Sequence, residues 1–328
     1  MVGAVVPGSQ VSRNWRIAAD AAAGTGAARR EAIYDPAMKF GIMFANSGHF
    51  AAAEGAAAIA TAADRCGLES IWAVEHVVIP HGYQSQYPYH ESGKIPLGDD
   101  PDLPDPLLWL AYAGALTKDI RLATGILIVP QRNPVVLAKE CASLSKLTNN
   151  RFELGIGVGW LREEFDALGV PWPDRGGRTD EYCEAMSALW SQQHATYHGK
   201  YVNFDNAISR PQPAGGSIPI VVGGHSDAAA KRAGRYGTGF FPAKGTDEEL
   251  THLFEVVKGS AAEHGRDGDA IENTTMVWSW RRESLDRVKQ LEDLGVDRLV
   301  LAPPTSNPAR IGDAMEELAA KIAPVATR

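Results

Sequence analysis

The sequence predicts an α/β protein with a closed (β/α)8 TIM barrel. Short apolar runs alternate with amphipathic segments from Lys39 onward, which is typical of repeated β-α units around a parallel sheet. Eight such runs lie between residues 38 and 328. A doubly wound sheet usually has fewer strands and a dinucleotide-binding loop after the first one, so the closed barrel fits better.

The predicted strands are short apolar runs bounded by polar residues, glycine or proline. They cover residues 39–44, 70–74, 120–129, 152–156, 218–222, 238–241, 275–280 and 298–301. The predicted helices carry apolar residues at spacings of three and four, as at Leu137, Cys141 and Leu144. They cover residues 56–66, 134–147, 227–236, 247–264, 284–294 and 309–322.

Two insertions interrupt the repeats. A polar segment rich in proline and aromatic residues, 77–105, follows the second strand, and a predicted hairpin, 196–204, follows the fourth. Long segments without secondary structure are often functional in compact domains. We expect residues 77–105 to form a lid. The alternative is that its aromatic residues only pack against the rest of the protein, as aromatic residues in long loops often do. The polar and aromatic side chains of this lid are His81, Tyr83, Tyr87, Tyr89 and His90.

Composition excludes several classes of function. The chain has 328 residues, a net charge of −8 and no block of lysine and arginine, which argues against nucleic acid or an anionic membrane as the main partner. No apolar run reaches the roughly 18 residues of a membrane helix. Cys66, Cys141 and Cys183 match no metal-ligand spacing, and no metal site is predicted. We expect a cytoplasmic protein with reduced thiols.

Residues 1–37 differ from the rest of the chain. They are rich in alanine, glycine and arginine and contain few large apolar side chains. Such a segment cannot bury enough surface to offset the entropy lost on ordering. We predict a disordered N-terminal extension at 1–37, with the folded barrel domain at 38–328.

The candidate site lies where the strands end, because active sites of these barrels sit at that face. Asn46 follows the first strand, Glu75 and His76 follow the second, and Gly125 and Ile126 lie within the third. Histidine exchanges a proton near neutral pH, which suits general acid or base catalysis at His76. The alternative is a histidine that only hydrogen-bonds a neighbouring loop.

Glycines mark the ends of the next two strands. The run Gly155-Ile156-Gly157-Val158-Gly159-Trp160 is not a G-x-G-x-x-G fingerprint. Because glycine has no side chain, these positions have two explanations: they leave room for a flat cofactor, or they relieve crowding between strand and helix.

The fifth strand is followed by Gly223-Gly224-His225-Ser226-Asp227, which opens a helix rich in alanine. The free amides of a helix start bind phosphate without a basic side chain. The alternative is an ordinary N-cap at Ser226 or Asp227 with nothing bound.

These residues resemble the luciferase-like monooxygenase superfamily and, within it, the oxidoreductases that use coenzyme F420, a deazaflavin. The resemblance runs from Met38 to the C-terminus. The segments that carry it are Glu69-Ser70-Ile71-Trp72-Ala73-Val74-Glu75-His76, residues 122–134, Asn150-Arg151-Phe152-Glu153-Leu154 with the glycine run, and Val222-Gly223-Gly224-His225-Ser226.

The resemblance implies a non-proline cis peptide at Gly125-Ile126 behind the cofactor ring. It also implies a catalytic His76 beside the reactive ring carbon and Glu75 at the ring edge. The implied cofactor-binding residues are Asn46, Gly125, Ile126, Gly157, Val158, Gly159, Gly223, Gly224 and His225.

Two departures bear on the reaction. Sugar-phosphate dehydrogenases of the family have a glutamate at the place of Trp160, so oxidation of a sugar phosphate is not expected. Relatives that use flavin mononucleotide (FMN) commonly have an arginine at the place of Val158, and valine cannot form that charge-assisted bond.

We therefore predict F420-dependent hydride transfer to or from a small organic substrate. An FMN-dependent monooxygenase and a non-catalytic flavin-binding barrel are the alternatives. Relatives often form dimers, and the sequence is compatible with both a homodimer and a monomer. An apolar substrate pocket is expected from Trp160, Trp278 and Trp280.

Overall fold

The computed structural model describes residues 38–95, 97–98, 100–278, 280 and 285–326. The predicted disorder of residues 1–37 lies outside the described residues. Within the described part of the chain, no group of histidine, cysteine and acidic side chains is arranged to hold a metal ion, and no helix is both long and apolar enough to cross a membrane.

The predicted barrel is confirmed. Parallel strands close into a ring. The strand Lys39–Ile42 pairs with both Ser70–Ala73 and Arg298–Leu301, and the ring is closed because Arg121–Thr124 pairs with both Ser70–Ala73 and Phe152–Gly157. The predicted hairpin is also confirmed as the antiparallel pair β6 and β7. The strands are β1 Lys39–Ile42, β2 Ser70–Ala73, β3 Arg121–Thr124, β4 Leu127–Ile128, β5 Phe152–Gly157, β6 Ala195–His198, β7 Asn203–Ala207, β8 Ile220–Gly223, β9 Gly239–Phe241, β10 Glu272–Val277 and β11 Arg298–Leu301.

The third predicted strand is divided into two pieces. Strand β3 ends at Thr124 and β4 begins at Leu127, and both pieces pair with β5. The peptide bond between Gly125 and Ile126 is cis, as the resemblance implied. The division places the Ile126 side chain next to the ends of the neighbouring strands, where the candidate site lies.

Helices cover the outside of the ring, and the predicted bounds of α3 and α6 agree with the structure. The helices are α1 Ala53–Arg65, α2 Pro106–Leu116, α3 Pro134–Leu147, α4 Arg162–Ala167, α5 Arg175–Ser191, α6 Asp227–Tyr236, α7 Asp247–Glu263, α8 Leu285–Asp293 and α9 Ile311–Ile322. The longest connection between a strand and the next helix lies between β2 and α2 and contains the insertion of residues 77–105.

The sequence did not predict α2, α4 and α5. Helix α2 is apolar on every side, so it lacks the alternation of polar and apolar faces that identifies a helix. Its start is nevertheless signalled, because the Asp105 carboxylate accepts hydrogen bonds from Leu107 N and Leu108 N. Helix α5 contains two glycines in its first turn, and no side chain caps its start.

A buried ionic cluster occupies the end of the barrel where the strands begin. The Arg298 side chain on β11 is 1% exposed and pairs with Glu69 at 2.8 Å, Glu272 at 3.0 Å and Glu153 at 3.4 Å. Its guanidinium lies 5.5 Å from the ring centroid of Trp72 inside the barrel. Each carboxylate lies at or next to the start of a different strand, so one cation links β2, β5, β10 and β11.

The Arg298→Met variant is expected to lose about 3–5 kcal/mol of unfolding free energy, because the three carboxylates then lose the buried cation that they share. The more exposed cations Arg121 and Lys39 are the partners that remain. Urea denaturation measures this loss. Arg65→Met is the control, because Arg65 and Glu316 form an exposed pair whose side chains are 59% and 63% exposed. That pair contributes about 0–1 kcal/mol. Equal losses in the two variants would contradict the assigned role.

The difference between the Arg298→Met variant and the parent should depend on pH. Burial acts to raise the pKa of Glu69, but the Arg298 guanidinium outweighs it and holds that pKa below its usual range. Such a group stabilises the fold above its unfolded pKa, and this contribution is lost as the pH falls through the folded value. The difference should shrink from neutral to acidic pH, whereas a constant difference would count against the pairing.

Candidate active site

A cavity of about 470 Å³ opens at the end of the barrel where the strands finish. All of the predicted site residues except Asn46 line it. Its size is within the range of small-molecule and cofactor sites. The structure thus brings together, on one wall or another, Glu75, His76, Gly125, Ile126, Gly157, Val158, Gly159, Gly223, Gly224 and His225.

Asn46 does not line the cavity, so no contact in the structure supports the prediction that it binds the cofactor. Its side chain is fully buried, and its Oδ1 accepts a hydrogen bond from Val74 N at 2.8 Å. Its Nδ2 donates to Val74 O at 2.9 Å and to Pro104 O at 3.2 Å. Because backbone groups occupy both ends of the amide, Asn46 joins the end of β2 to the end of the lid segment.

The glycine run is explained first by contacts within the protein. A Cβ at Gly155 would lie 1.8 Å from Thr124 O, and one at Gly157 would lie 2.3 Å from Ile126 Cδ1. Gly159 has a φ of 81°, a conformation that side chains rarely adopt. The crowding interpretation therefore accounts for the bare positions. Gly157 and Gly159 still line the cavity, and their contact with a cofactor stays a prediction.

Ile126 forms an apolar ridge on the cavity wall. Its side chain lies over Gly157 on β5 and over Gly223 on β8, where a Cβ would come within 2.7 Å of Ile126 Cγ2. A larger residue at either glycine would displace this side chain. Glycines on two neighbouring strands thus give Ile126 its place beside the cavity.

His76 is held by a buried carboxylate that the sequence did not reveal. Its Nδ1 lies 3.0 Å from Glu164 Oε2, and the two side chains are 9% and 0% exposed. Glu164 Oε1 also accepts hydrogen bonds from Val77 N and Val78 N, at 2.6 and 3.3 Å. A carboxylate accepts hydrogen bonds, so this contact suits a His76 tautomer in which Nδ1 is the donor; in the neutral imidazole, Nε2 then carries the lone pair.

The rest of the imidazole faces the cavity and an aromatic neighbour. The His76 ring meets the Trp160 ring edge to face, with centroids 5.6 Å apart. No described residue forms a hydrogen bond with Nε2 of His76. A carboxylate orients His76 through one ring nitrogen, and the other nitrogen is free. This arrangement is typical of a histidine that acts as a general acid or base.

Glu75 lines the cavity, but its carboxylate is already occupied. Arg132 donates from Nε to Glu75 Oε1 at 3.0 Å and also from Nη2, while Ile128 N donates to Oε2. Burial raises the pKa of Glu75, and the charge of Arg132 opposes that shift. Arg132 also pairs with Asp105 at 2.7 Å, so Glu75 is part of a network that links the end of β2 to the segment before α2. Its catalytic role stays a prediction.

The start of α6 forms one end of the cavity. Ser226 is its N-cap and accepts a hydrogen bond from Ala229 N at 3.4 Å, which agrees with the N-cap interpretation. Gly224 has a φ of 133°, and a Cβ there would come within 2.9 Å of Ala229 Cβ. Ala228 and Ala229 line the cavity, so small residues leave the first turn of the helix accessible.

Arg175 contributes a cation to the same cavity, and no sequence signal identified it. Its Nε donates to Gly159 O at 3.3 Å, and its guanidinium lies 3.8 Å from the centroid of the Trp172 ring. Burial lowers the pKa of Arg175. Among the described residues, no carboxylate pairs with it, whereas Arg232 in the same cavity is paired with Asp180. Arg175 is thus available to an anion.

Part of the lid segment lines the cavity, through Tyr87, Pro88, Tyr89, Ile95 and Leu97. Its closure over a bound cofactor stays a prediction. Tyr87 contacts Trp160, with ring centroids 5.2 Å apart, and Tyr89 contacts His225 at 5.1 Å. Ser85 Oγ donates to Glu163 at 2.6 Å and so ties the lid to α4.

The other aromatic predictions have mixed outcomes. His81 and His90 are exposed and do not line the cavity. Trp160 and Trp278 line it as expected. Trp280 does not, because it packs edge to face against Phe40 at 5.8 Å.

Known proteins resemble this chain in sequence. An uncharacterized protein of Mycobacterium tuberculosis is 32% identical over 74% of this chain and 83% of its own length. The F420-dependent glucose-6-phosphate dehydrogenase of Mycolicibacterium smegmatis is 32% identical over 65% of this chain and 61% of its own. The FMNH2-dependent dimethylsulfone monooxygenase of Pseudomonas fluorescens is 32% identical over 45% and 41%.

The fold is also that of a solved structure, an F420-dependent secondary alcohol dehydrogenase in complex with an F420-acetone adduct. It superposes with a TM-score of 0.71 at 18% identity, over 89% of this chain and 100% of that one. The model of the luciferase-like monooxygenase family matches residues 38–279. The two relatives of this chain that are named above for an activity are an oxidoreductase that uses a deazaflavin and a monooxygenase that uses a flavin. The chain belongs to the luciferase-like monooxygenase family.

Proposed function

We propose that this protein is an F420-dependent oxidoreductase that transfers hydride between the deazaflavin and a small organic substrate. The observation that carries the proposal is the pair of His76 and Glu164 at the wall of the cavity, with Nε2 of His76 free. The relative that uses F420 matches a larger share of this chain, 65%, than the relative that uses FMNH2, 45%.

The residues of the cavity fit a phosphate-bearing tricyclic cofactor. The first turn of α6 and Arg175 would hold the phosphate, and the Ile126 ridge would support the ring. When bound, a deazaflavin accepts or donates a hydride at one ring carbon and does not readily activate oxygen. Val158 no longer decides against FMN by itself, because Arg175 offers a cation to either phosphate.

The chain's own contribution to the reaction is proton transfer and exclusion of water. Glu164 fixes the His76 ring so that Nε2 faces the cavity, where it takes a proton from a substrate hydroxyl or returns one to a substrate oxygen. Glu75, through Arg132 and Ile128 N, fixes the segment after the Ile126 ridge. The lid covers the cavity and keeps water from the reacting atoms.

The cofactor choice is tested by titrating the purified protein with F420 and with FMN and following tryptophan fluorescence. We expect the dissociation constant obtained from the quenching to be at least tenfold lower for F420 than for FMN. The reduced form of F420 should then be reoxidised by a substrate under anaerobic conditions. Tight binding of FMN with no binding of F420 would overturn the proposal in favour of an FMN-dependent monooxygenase.

The Glu164→Gln variant is expected to lose about 10²–10⁴-fold in kcat, because an amide presents its NH2 group to Nδ1 and favours the other tautomer of His76. Glutamine keeps an acceptor for Val77 N, so the fold should persist. The variant should retain the parent's KM and its affinity for F420, and its pH profile should change.

Asp166→Asn is the control for Glu164→Gln, since Asp166 lies on the same helix and its side chain is 62% exposed. Its kcat should equal that of the parent. If Glu164→Gln also retains the parental kcat and pH profile, Glu164 does not orient a catalytic His76.

The Arg175→Met variant should bind F420 about 10–150-fold more weakly, because a charge-assisted bond to phosphate contributes about 1.5–3 kcal/mol. Arg175→Lys should retain part of the affinity and its salt dependence. The deazaflavin riboside that lacks the phosphate should bind the parent and Arg175→Met equally well. If the variant weakens both ligands to the same extent, the contact with phosphate is excluded.

A further inference from the structure

Resting on the proposed function, we propose that the part of the cavity between the ends of β1, β9 and β10 is a substrate compartment for uncharged, flat, unsaturated compounds. The compartment is defined by Met43, Phe44, Phe241, Ala243, Met276 and Trp278. Substrates that carry a phosphate or a carboxylate at this end are excluded.

Among the residues that the structure describes, the ionisable side chains of the cavity wall lie outside this compartment. Glu75 and His76 follow β2, His225 follows β8, and Arg175 and Arg232 lie on helices α5 and α6. None of the residues that define the compartment is ionisable. The cavity therefore has a polar half, which suits a phosphate-bearing cofactor, and an apolar half that remains for the substrate.

An aromatic pair gives the compartment a flat surface. The rings of Phe44 and Trp278 are stacked, with centroids 5.6 Å apart and an angle of 26° between the planes. Trp278 is 44% exposed, which is unusual for so large an apolar side chain. Offset stacking of a third ring would bury this surface and add about 0.5–1.5 kcal/mol beyond the area effect.

The backbone at Phe44 supports the same assignment. Phe44 has a φ of 57°, which is rare for a bulky residue and is typical of sites that bind ligands. Ser47 stabilises this conformation, because its Oγ donates to Phe44 O at 2.9 Å and its N donates at 3.2 Å. The conformation holds the Phe44 ring against Trp278 at the wall of the cavity.

Charge selects against anions in this compartment. A carboxylate or phosphate placed against Met276 and Ala243 would lose its water without gaining a cation or a hydrogen-bond donor from their side chains. Lys244 follows Ala243 in the chain, but it is exposed and its ammonium donates to Pro88 O on the lid. The compartment should therefore prefer a neutral compound over an anion of the same shape.

The experiment compares two ligands of the same shape by isothermal titration calorimetry at pH 7.5. They are 2-acetylnaphthalene, which is neutral, and 2-naphthoate, which is an anion. Both are titrated into the full-length protein, with and without saturating oxidised F420. We expect the ketone to bind at least tenfold more tightly than the carboxylate, in the presence of F420 as well as in its absence.

Two variants locate the binding. Trp278→Ala should weaken the ketone about tenfold without changing the affinity for F420, whereas Trp278→Phe should retain most of the binding. Ala243→Arg should reverse the preference, so that 2-naphthoate binds more tightly than the ketone. Tyr112→Ala is the matched control, since Tyr112 is 43% exposed on α2 and does not line the cavity.

The proposal is overturned if the carboxylate binds as tightly as the ketone, if neither ligand binds, or if Trp278→Ala leaves the ketone unaffected. Competition between the ketone and F420 would also overturn it, because the ketone would then occupy the cofactor's half. If the proposed function fails, the protein binds no F420. The preference of the F420-free protein for the ketone over the carboxylate can still be measured in that case.

Discussion

The barrel depends on the cluster around Arg298, which compensates buried charge where the strands begin. Glu69 precedes β2, Glu153 lies on β5 and Glu272 begins β10, and all three reach the one guanidinium on β11. Arg121, at the start of β3, also contacts Glu69, at 3.4 Å. An ion pair in this setting adds little net stability, but removing one partner is costly, so the cluster favours one register of the strands. Closed at this end, the barrel can leave a cavity at the other.

At the opposite end, the site is held together by contacts that cross between strands. Glu75 after β2 holds Arg132 and Ile128 N after the Ile126 ridge, and Arg132 in turn holds Asp105 at the end of the lid. Glu164 after β5 holds His76. These two carboxylates act on neighbouring parts of one wall but differ in consequence. Glu75 fixes the backbone that follows the Ile126 ridge, whereas Glu164 fixes the ring of His76, which we propose exchanges a proton.

The sequence predicted much of the fold, because strands buried on both sides read as apolar runs and because α3 and α6 have clear start signals. It did not predict α2, since burial of one face cannot be inferred when all faces are apolar. The site residues at the strand ends could be predicted from the sequence. Residues that follow parallel strands all lie at the same end of the barrel. Glu164 and Arg175 could not be predicted, because both lie on helices and act on groups that are close only in the folded chain.

The distribution of charge in the cavity would separate the proposed reaction from the choice of substrate. His76, its partner Glu164 and the proposed phosphate-binding end belong to β2, β5, β8 and the helices next to them. The apolar compartment belongs to β1, β9 and β10. A change at Ala243 or Trp278 therefore alters what the cavity admits without disturbing the hydrogen bonds that orient His76. In a barrel whose strands β2, β5, β10 and β11 are joined at the opposite end by the Arg298 cluster, the wall that holds His76 can be kept while the facing wall is varied.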